Sequence, residues 1–253
     1  MTTTTTDQRA ATARTATAGM RLELNGIRID YGAGAVIDGL DLSIAAGEVL
    51  VLVGKSGCGK STLLRAVAGL RAPSAGRILA DGDPVTGPSA DRALVFQDDA
   101  LLPWRTARQN IELALRLRGV ARAARRERAL HWVREVGLDG FADYLPRDLS
   151  GGMRQRMQLA RSLAGAPRAV LMDEPFGALD TQTRATMQRL LVDTWRAHPT
   201  TIVFVTHDLD EALLLGDRIA VVGDGAIRAL VEVPAPRTDV DRGALKADLL
   251  EKL

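Results

Sequence analysis

The chain has 253 residues, 46% hydrophobic and 25% charged, with a formal net charge of only +2. That length and balance suit one globular domain, or one with an inserted lobe, and supply enough apolar mass for a sizeable core. The near-neutral charge gives a nucleic-acid role no strong electrostatic support, the single cysteine, Cys58, excludes an internal disulfide, and no run reaches the ~18 apolar residues that span a bilayer.

Residues 1–20 are rich in Thr and Ala, with no apolar h-region, so they read as a disordered tail and not as a secretory signal. From Arg21 the texture changes. Leu22, Leu24, Ile27 and Ile29, and then Leu40, Leu42 and Ile44, alternate with polar residues as half-buried strands do. Glu48 to Val53 reads as a buried strand, Gly54 to Gly59 as a loop and Lys60 to Gly69 as a helix. Short strands are expected at Arg77 to Ala80 and Ala93 to Phe96.

The period then becomes helical over Thr106 to Leu117, Ala121 to Val136 and Ser150 to Ala164. Strands return at Ala169 to Met172, Thr201 to Val205 and Ile219 to Val222, with a helix at Thr181 to Ala197 between the first two. Strands alternating with helices predict a mostly parallel sheet covered on both faces. The helical stretch of about 99–157 reads as a lobe inserted into a domain of residues 21–232. Residues 233–253 form a short tail that could close with one amphipathic helix.

Three segments carry chemistry. Gly54-Lys55-Ser56-Gly57-Cys58-Gly59-Lys60-Ser61 fits the P-loop pattern, between a strand and a helix. Its glycines let backbone N–H groups surround a phosphate, and the helix that follows turns its positive end to the same anion. In that pattern Lys60 reaches the β- and γ-phosphates and Ser61 ligates Mg²⁺. No N-K-x-D motif for guanine occurs. Second comes Leu149-Ser150-Gly151-Gly152-Met153-Arg154-Gln155-Arg156, and third an apolar strand ending in two acids, Asp173 and Glu174. In this order and spacing the segments resemble the P-loop, signature motif and acidic strand end of ABC-type ATPases, with Met153 where glutamine is commoner.

The resemblance implies a P-loop α/β core with an N-terminal antiparallel β subdomain and an inserted helical subdomain. It implies ATP and Mg²⁺ as ligands, with Gly54 to Ser61 and Thr62 around the phosphates. It makes Asp173, Ser61 and Gln97 the metal side, Glu174 the residue that polarises the attacking water, and His207 the switch that contacts the γ-phosphate. Tyr31 stands where an aromatic stacks on adenine, and Gln97 where a glutamine also senses a membrane partner. Ser150, Gly151, Gly152 and Asp180 are expected to complete the site from a second copy of the chain, in a head-to-tail ATP sandwich. His131 and His198 have no such context and read as filler.

A narrower likeness lies in Phe96-Gln97-Asp98-Asp99-Ala100-Leu101-Leu102-Pro103-Trp104, Gly87-Pro88 and Glu174-Pro175-Phe176-Gly177-Ala178-Leu179-Asp180. These resemble the ATPases of bacterial importers for nitrate, taurine and aliphatic sulfonates. The implied setting is the cytoplasmic face of the inner membrane, with permease subunits and, through them, a substrate-binding protein. Two readings of Trp104 stay open, an exposed docking element or a core residue of the helical lobe. Soluble ABC proteins of repair or translation usually carry coiled-coil insertions, zinc cysteines or two cassettes, and this sequence has none. Arg116, Arg118, Arg122, Arg125, Arg126 and Arg128 are interspersed with or flanked by Glu112, Glu127 and Glu135, which reads as a solvated helix face.

Overall fold

A five-residue strand, β3 (Val49–Val53), organises the molecule. Its side chains alternate between two cores: Val49, Val51 and Val53 face one, Leu50 and Leu52 the other. Such a strand must be covered on both sides, and every residue of β3 is buried. The computed structural model describes residues 19–32, 34–238 and 242–253. The expected tail therefore lies outside the described residues, except for its last two positions. Gly19 and Met20 belong to the folded body instead: Met20 is buried, and its backbone N–H and carbonyl both pair with the Thr201 hydroxyl.

The six-stranded sheet has the order β10-β9-β3-β8-β7-β6, formed by β6 (Arg92–Val95), β7 (Ala169–Asp173), β8 (Thr201–Val205), β9 (Arg218–Gly223) and β10 (Ala226–Glu232) around β3. Its pairings are parallel except for the β9–β10 hairpin. A four-stranded antiparallel sheet, order β2-β1-β4-β5, comprises β1 (Leu22–Asp30), β2 (Ala35–Ile44), β4 (Ala75–Ala80) and β5 (Asp83–Pro84). Helix α1 (Lys60–Val67) lies in the core that the two sheets share, through Leu63, Leu64 and Val67. Each such aliphatic side chain removed from water is worth ~1.5–3 kcal/mol.

Three helices make the lobe: α2 (Ala107–Leu117), α3 (Arg122–Glu135) and α4 (Gly151–Ala164), which pack on one another. A reciprocal capping box fixes the start of α2, where Thr106 accepts from the Gln109 N–H and Gln109 accepts from the Thr106 N–H. α4 also packs on β6 and so ties the lobe to the sheet edge. α5 (Thr181–Ala197), α6 (Leu209–Leu215) and α7 (Gly243–Lys252) cover the other core, and Leu249 of α7 is fully buried there. No described helix is long and apolar enough to cross a membrane.

Candidate active site

The turn from β3 into α1 is built on glycine. Gly54 has φ 155°, and a Cβ there would stand 2.2 Å from the Val222 carbonyl oxygen. Gly59, the cap of α1, has φ 102°, and a Cβ there would meet Ile37 Cδ1 at 2.6 Å. Larger residues therefore cannot close this turn. No side chain caps α1, and its first turn holds no acid, which leaves its N–H groups and the positive helix end for an anion. Lys60 is buried, and its ammonium donates to the carbonyls of Gly54 (2.7 Å) and Lys55 (2.9 Å). Among the described residues no carboxylate pairs with it. Its third contact is Cys58 Sγ at 3.6 Å; a buried cation with no carboxylate partner lacks a counter-charge, and a phosphate chain would provide one.

The acids converge on the same turn from β7. The Ser61 hydroxyl donates to Asp173 Oδ1 at 2.7 Å, across 112 residues of sequence. Glu174 follows with φ 44°, a left-handed backbone uncommon outside glycine. Its N–H donates to the Val205 carbonyl at 3.1 Å, which anchors the turn to β8. Its Oε2 lies 3.0 Å from Nδ1 of His207, which is 66% exposed at the end of β8. Nucleotide-suited donors, a hydroxyl–carboxylate pair and a carboxylate–imidazole pair thus share one strand-end edge, the usual ligand side of a parallel sheet.

Tyr31 is half exposed, with its hydroxyl 3.4 Å from Thr62 Oγ1. The Arg71 guanidinium covers one face of its ring at 3.8 Å from the centroid, while donating to the Asp30 carbonyl at 2.5 Å. Sequence reading missed Arg71, because it lies 40 positions from Tyr31 in no motif. Gln97 is exposed just beyond β6. Its neighbours are held from behind by α4: the buried Gln158 donates to the carbonyls of Phe96 (3.0 Å) and Asp98 (2.9 Å). Arg161 donates to Ala100 O (2.7 Å), and Arg154 pairs with Asp99 at 2.8 Å. These three clamps were also missed, though two of them flank the motif in α4. Trp104 is 72% exposed, which excludes its place in the lobe core; Leu101, three residues earlier, is buried instead.

The remaining expected residues form a second place. Ser150 caps α4, accepting from the Met153 N–H, and no acid lies in the first turn of that helix. Gly152 passes so close to α5 that a Cβ would meet Thr183 Cγ2 at 2.9 Å. Asp180 caps α5, accepting from the N–H groups of Gln182 and Thr183 and from the Thr183 hydroxyl. That hydroxyl bond, chiefly, holds the Asp180 carboxyl below its ordinary range. Ser150, Gly151, Gly152 and Asp180 line one cavity of about 560 Å³. Lys55, Ser56, Gly57 and Cys58 line another, of about 780 Å³. Within one chain the two groups do not share a cavity.

More than half of the chain, residues 37–177, matches the family model described as ABC transporter. A relative from Brucella abortus (strain 2308), named only for ATP binding, is 47% identical over 226 residues, covering 88% of this chain and 87% of the relative. The Taurine import ATP-binding protein TauB of Burkholderia pseudomallei (strain 1710b) is 48% identical over 191 residues, or 76% of this chain and 74% of that protein. Among solved structures, a dimeric ATP-binding cassette in a post-hydrolysis state with ADP and Pi superposes with a TM-score of 0.75. It is 31% identical, and the match covers 85% of this chain and 99% of that one.

Proposed function

We propose, for a chain that belongs to the ABC transporter family and couples ATP hydrolysis to transport, that it energises import of a small anion through separate permease subunits. The observation that carries the catalytic part is the meeting of Lys60, the Ser61–Asp173 pair and the Glu174–His207 pair at one uncapped helix start.

In this reading the N–H groups of residues 54–62 and the Lys60 ammonium bind the β- and γ-phosphates, and Tyr31 stacks on the adenine with Arg71 behind it. Ser61 and Asp173, with Gln97, would hold Mg²⁺, as few-ligand magnesium sites do beside phosphate oxygens. When bound, the ion neutralises charge on the phosphates. The Glu174 carboxylate orients water toward the γ-phosphorus and accepts its proton, while the His207 imidazole lies within hydrogen-bond reach of that carboxylate and of the space beyond. Ser150, Gly151, Gly152 and Asp180 close over the nucleotide of a second copy.

The lobe of about 99–157 and the ATPase unit of 21–232 are proposed as the working divisions. The loop at Gln97, with exposed Trp104 beyond it, is the proposed permease contact, which would put the protein peripherally on the inner face of the membrane. The name and identity of the taurine-import relative support taurine as cargo; the likeness of residues 96–104 extends the proposal to an aliphatic sulfonate or nitrate, delivered by a substrate-binding protein. The test is reconstitution with the copurified permease and binding protein, measuring ATP-driven uptake. Taurine, an aliphatic sulfonate or nitrate is expected to be accumulated. Uptake of none of the three, in a complex that hydrolyses ATP, removes the cargo reading.

A further inference from the structure

The arginines of α2 and α3 are largely solvent-exposed, as a solvated face implies, but they are not evenly spread. Arg105, Arg108, Arg116, Arg122, Arg125 and Arg126 line a single cavity of about 390 Å³ between the two helices. Glu112 is the one acid in its wall; Glu127 and Glu135, which balance the charge along the sequence, are not part of it. Arg108 and Arg116 stand four residues either side of Glu112, so α2 presents the three on one face.

Two of the six are fixed by the protein. Arg108 pairs with Glu112 (2.5 Å) and Asp143 (2.8 Å), and Arg125 Nε donates to the Val120 carbonyl (2.6 Å). The side chains of Arg105, Arg116, Arg122 and Arg126 make no hydrogen bond or ion pair among the described residues, and Nε of Arg105 is buried without a partner. Buried polar atoms are rarely left so, and clustered like charges repel unless an anion joins them.

We propose that this cavity is an anion site for a compact, multiply charged phosphate compound. Guanidinium forks match phosphate oxygens two by two, and six arginines against one glutamate in the wall suit a ligand with several negative charges. No aromatic side chain lines the cavity, so nothing in it stacks on a base; Leu113 is its only apolar wall. The site is separate from both nucleotide-suited cavities, and its existence does not depend on the cargo or on the permease. The phosphate could be that of a free compound or of a lipid headgroup.

The test resolves the site directly. The full chain is saturated with ADP in Mg²⁺-free buffer, so that the P-loop is filled, and its arginine Nε–H resonances are followed as pyrophosphate is added. Saturable shifts are expected for the cavity arginines and not for Arg65 or Arg189, which lie outside it. Arg116→Gln/Arg122→Gln/Arg126→Gln is expected to weaken that binding about tenfold or more. Because the wild-type spectrum carries the result alone, misfolding of the variant would not obscure it. Flotation with phosphatidylglycerol vesicles identifies the source: co-migration that pyrophosphate competes away makes it a headgroup, and no co-migration makes it a free phosphate. Unmoved cavity resonances, or equal shifts of every surface arginine, overturn the proposal.

Discussion

The N-termini of α1 and α4 are alike in one respect and opposite in another. Both helices begin without an acid in the first turn, whereas α5 and α6 are each closed by an aspartate, Asp180 and Asp208, that takes up two N–H groups. Both α1 and α4 can therefore receive an anion. Around α1 stand a buried lysine, a hydroxyl on a carboxylate and a carboxylate on an imidazole. Around α4 stand the Ser150 hydroxyl, a glycine pressed against Thr183, and the Asp180 carboxylate, which the start of α5 takes up. The first has reactive groups and the second can only recognise. None of those reactive groups lines the cavity that holds Ser150 and Asp180, so one chain has each half of a site and no whole one.

That contrast is best broken at its reactive end. Glu174→Gln keeps the shape and removes the acceptor for the water proton. Turnover is expected to fall ~10²–10⁴-fold with ATP affinity unchanged, measured by phosphate release and by nucleotide titration. Hydrolysis near the wild-type rate would take Glu174 out of its proposed role. Lys60→Ala acts on binding: losing charge-assisted hydrogen bonds of ~1.5–3 kcal/mol should weaken ATP about ten- to a hundredfold. Ser61→Ala should weaken it only when Mg²⁺ is present. Calorimetry with and without the ion separates the two, and equal affinities for wild type and Lys60→Ala would remove the lysine from the phosphate site.

The contrast is sharpened by mixing. Lys60→Ala spoils the reactive half and Ser150→Arg the recognising half, and each homodimer should be inactive. In a verified mixed dimer one interface carries both defects and the other none, so activity about half that of wild type is expected. Mixed dimers as inactive as their parents would contradict a shared site that can fire singly. The smallest effect concerns the support behind Tyr31. Arg71→Ala removes a cation–ring contact of ~0.5–1 kcal/mol, so ATP should bind about two- to fivefold more weakly with kcat unchanged. A loss in kcat with KM unchanged would assign Arg71 elsewhere.

The parts legible in the sequence are those in which one short segment holds the whole physical reason. The P-loop is such a segment, because its glycines, lysine and serine act within eight residues. The buried strand expected at Glu48 to Val53, found as Val49–Val53, and the helix Thr181 to Ala197 are others, with the latter matching α5 from end to end. Less legible were elements whose pattern is mixed. β10 alternates half-buried with exposed residues around Arg228, and the seven-residue α6 is too short to show a helical period. Met20 looked like tail because its neighbours do; its burial depends on Thr201, 181 residues away. Trp104 and the arginines of the lobe illustrate the same limit. Composition says what they are, and only the packing of α2 on α3 says where they point.

Gln158 has a consequence beyond holding a loop in place. It belongs to the helix that starts at Ser150, and its amide grips the backbone on both sides of Gln97. With Arg154 and Arg161 it makes that helix and that loop a single lever. Whatever pushes the loop from outside would also turn the helix start proposed to face a neighbouring nucleotide. Thermodynamic reciprocity then requires the converse: an anion drawn to the helix start must change the grip of any partner on the loop by the same factor. Gln158→Leu, which keeps the bulk and cuts both bonds, should leave each binding event possible and the two indifferent to one another.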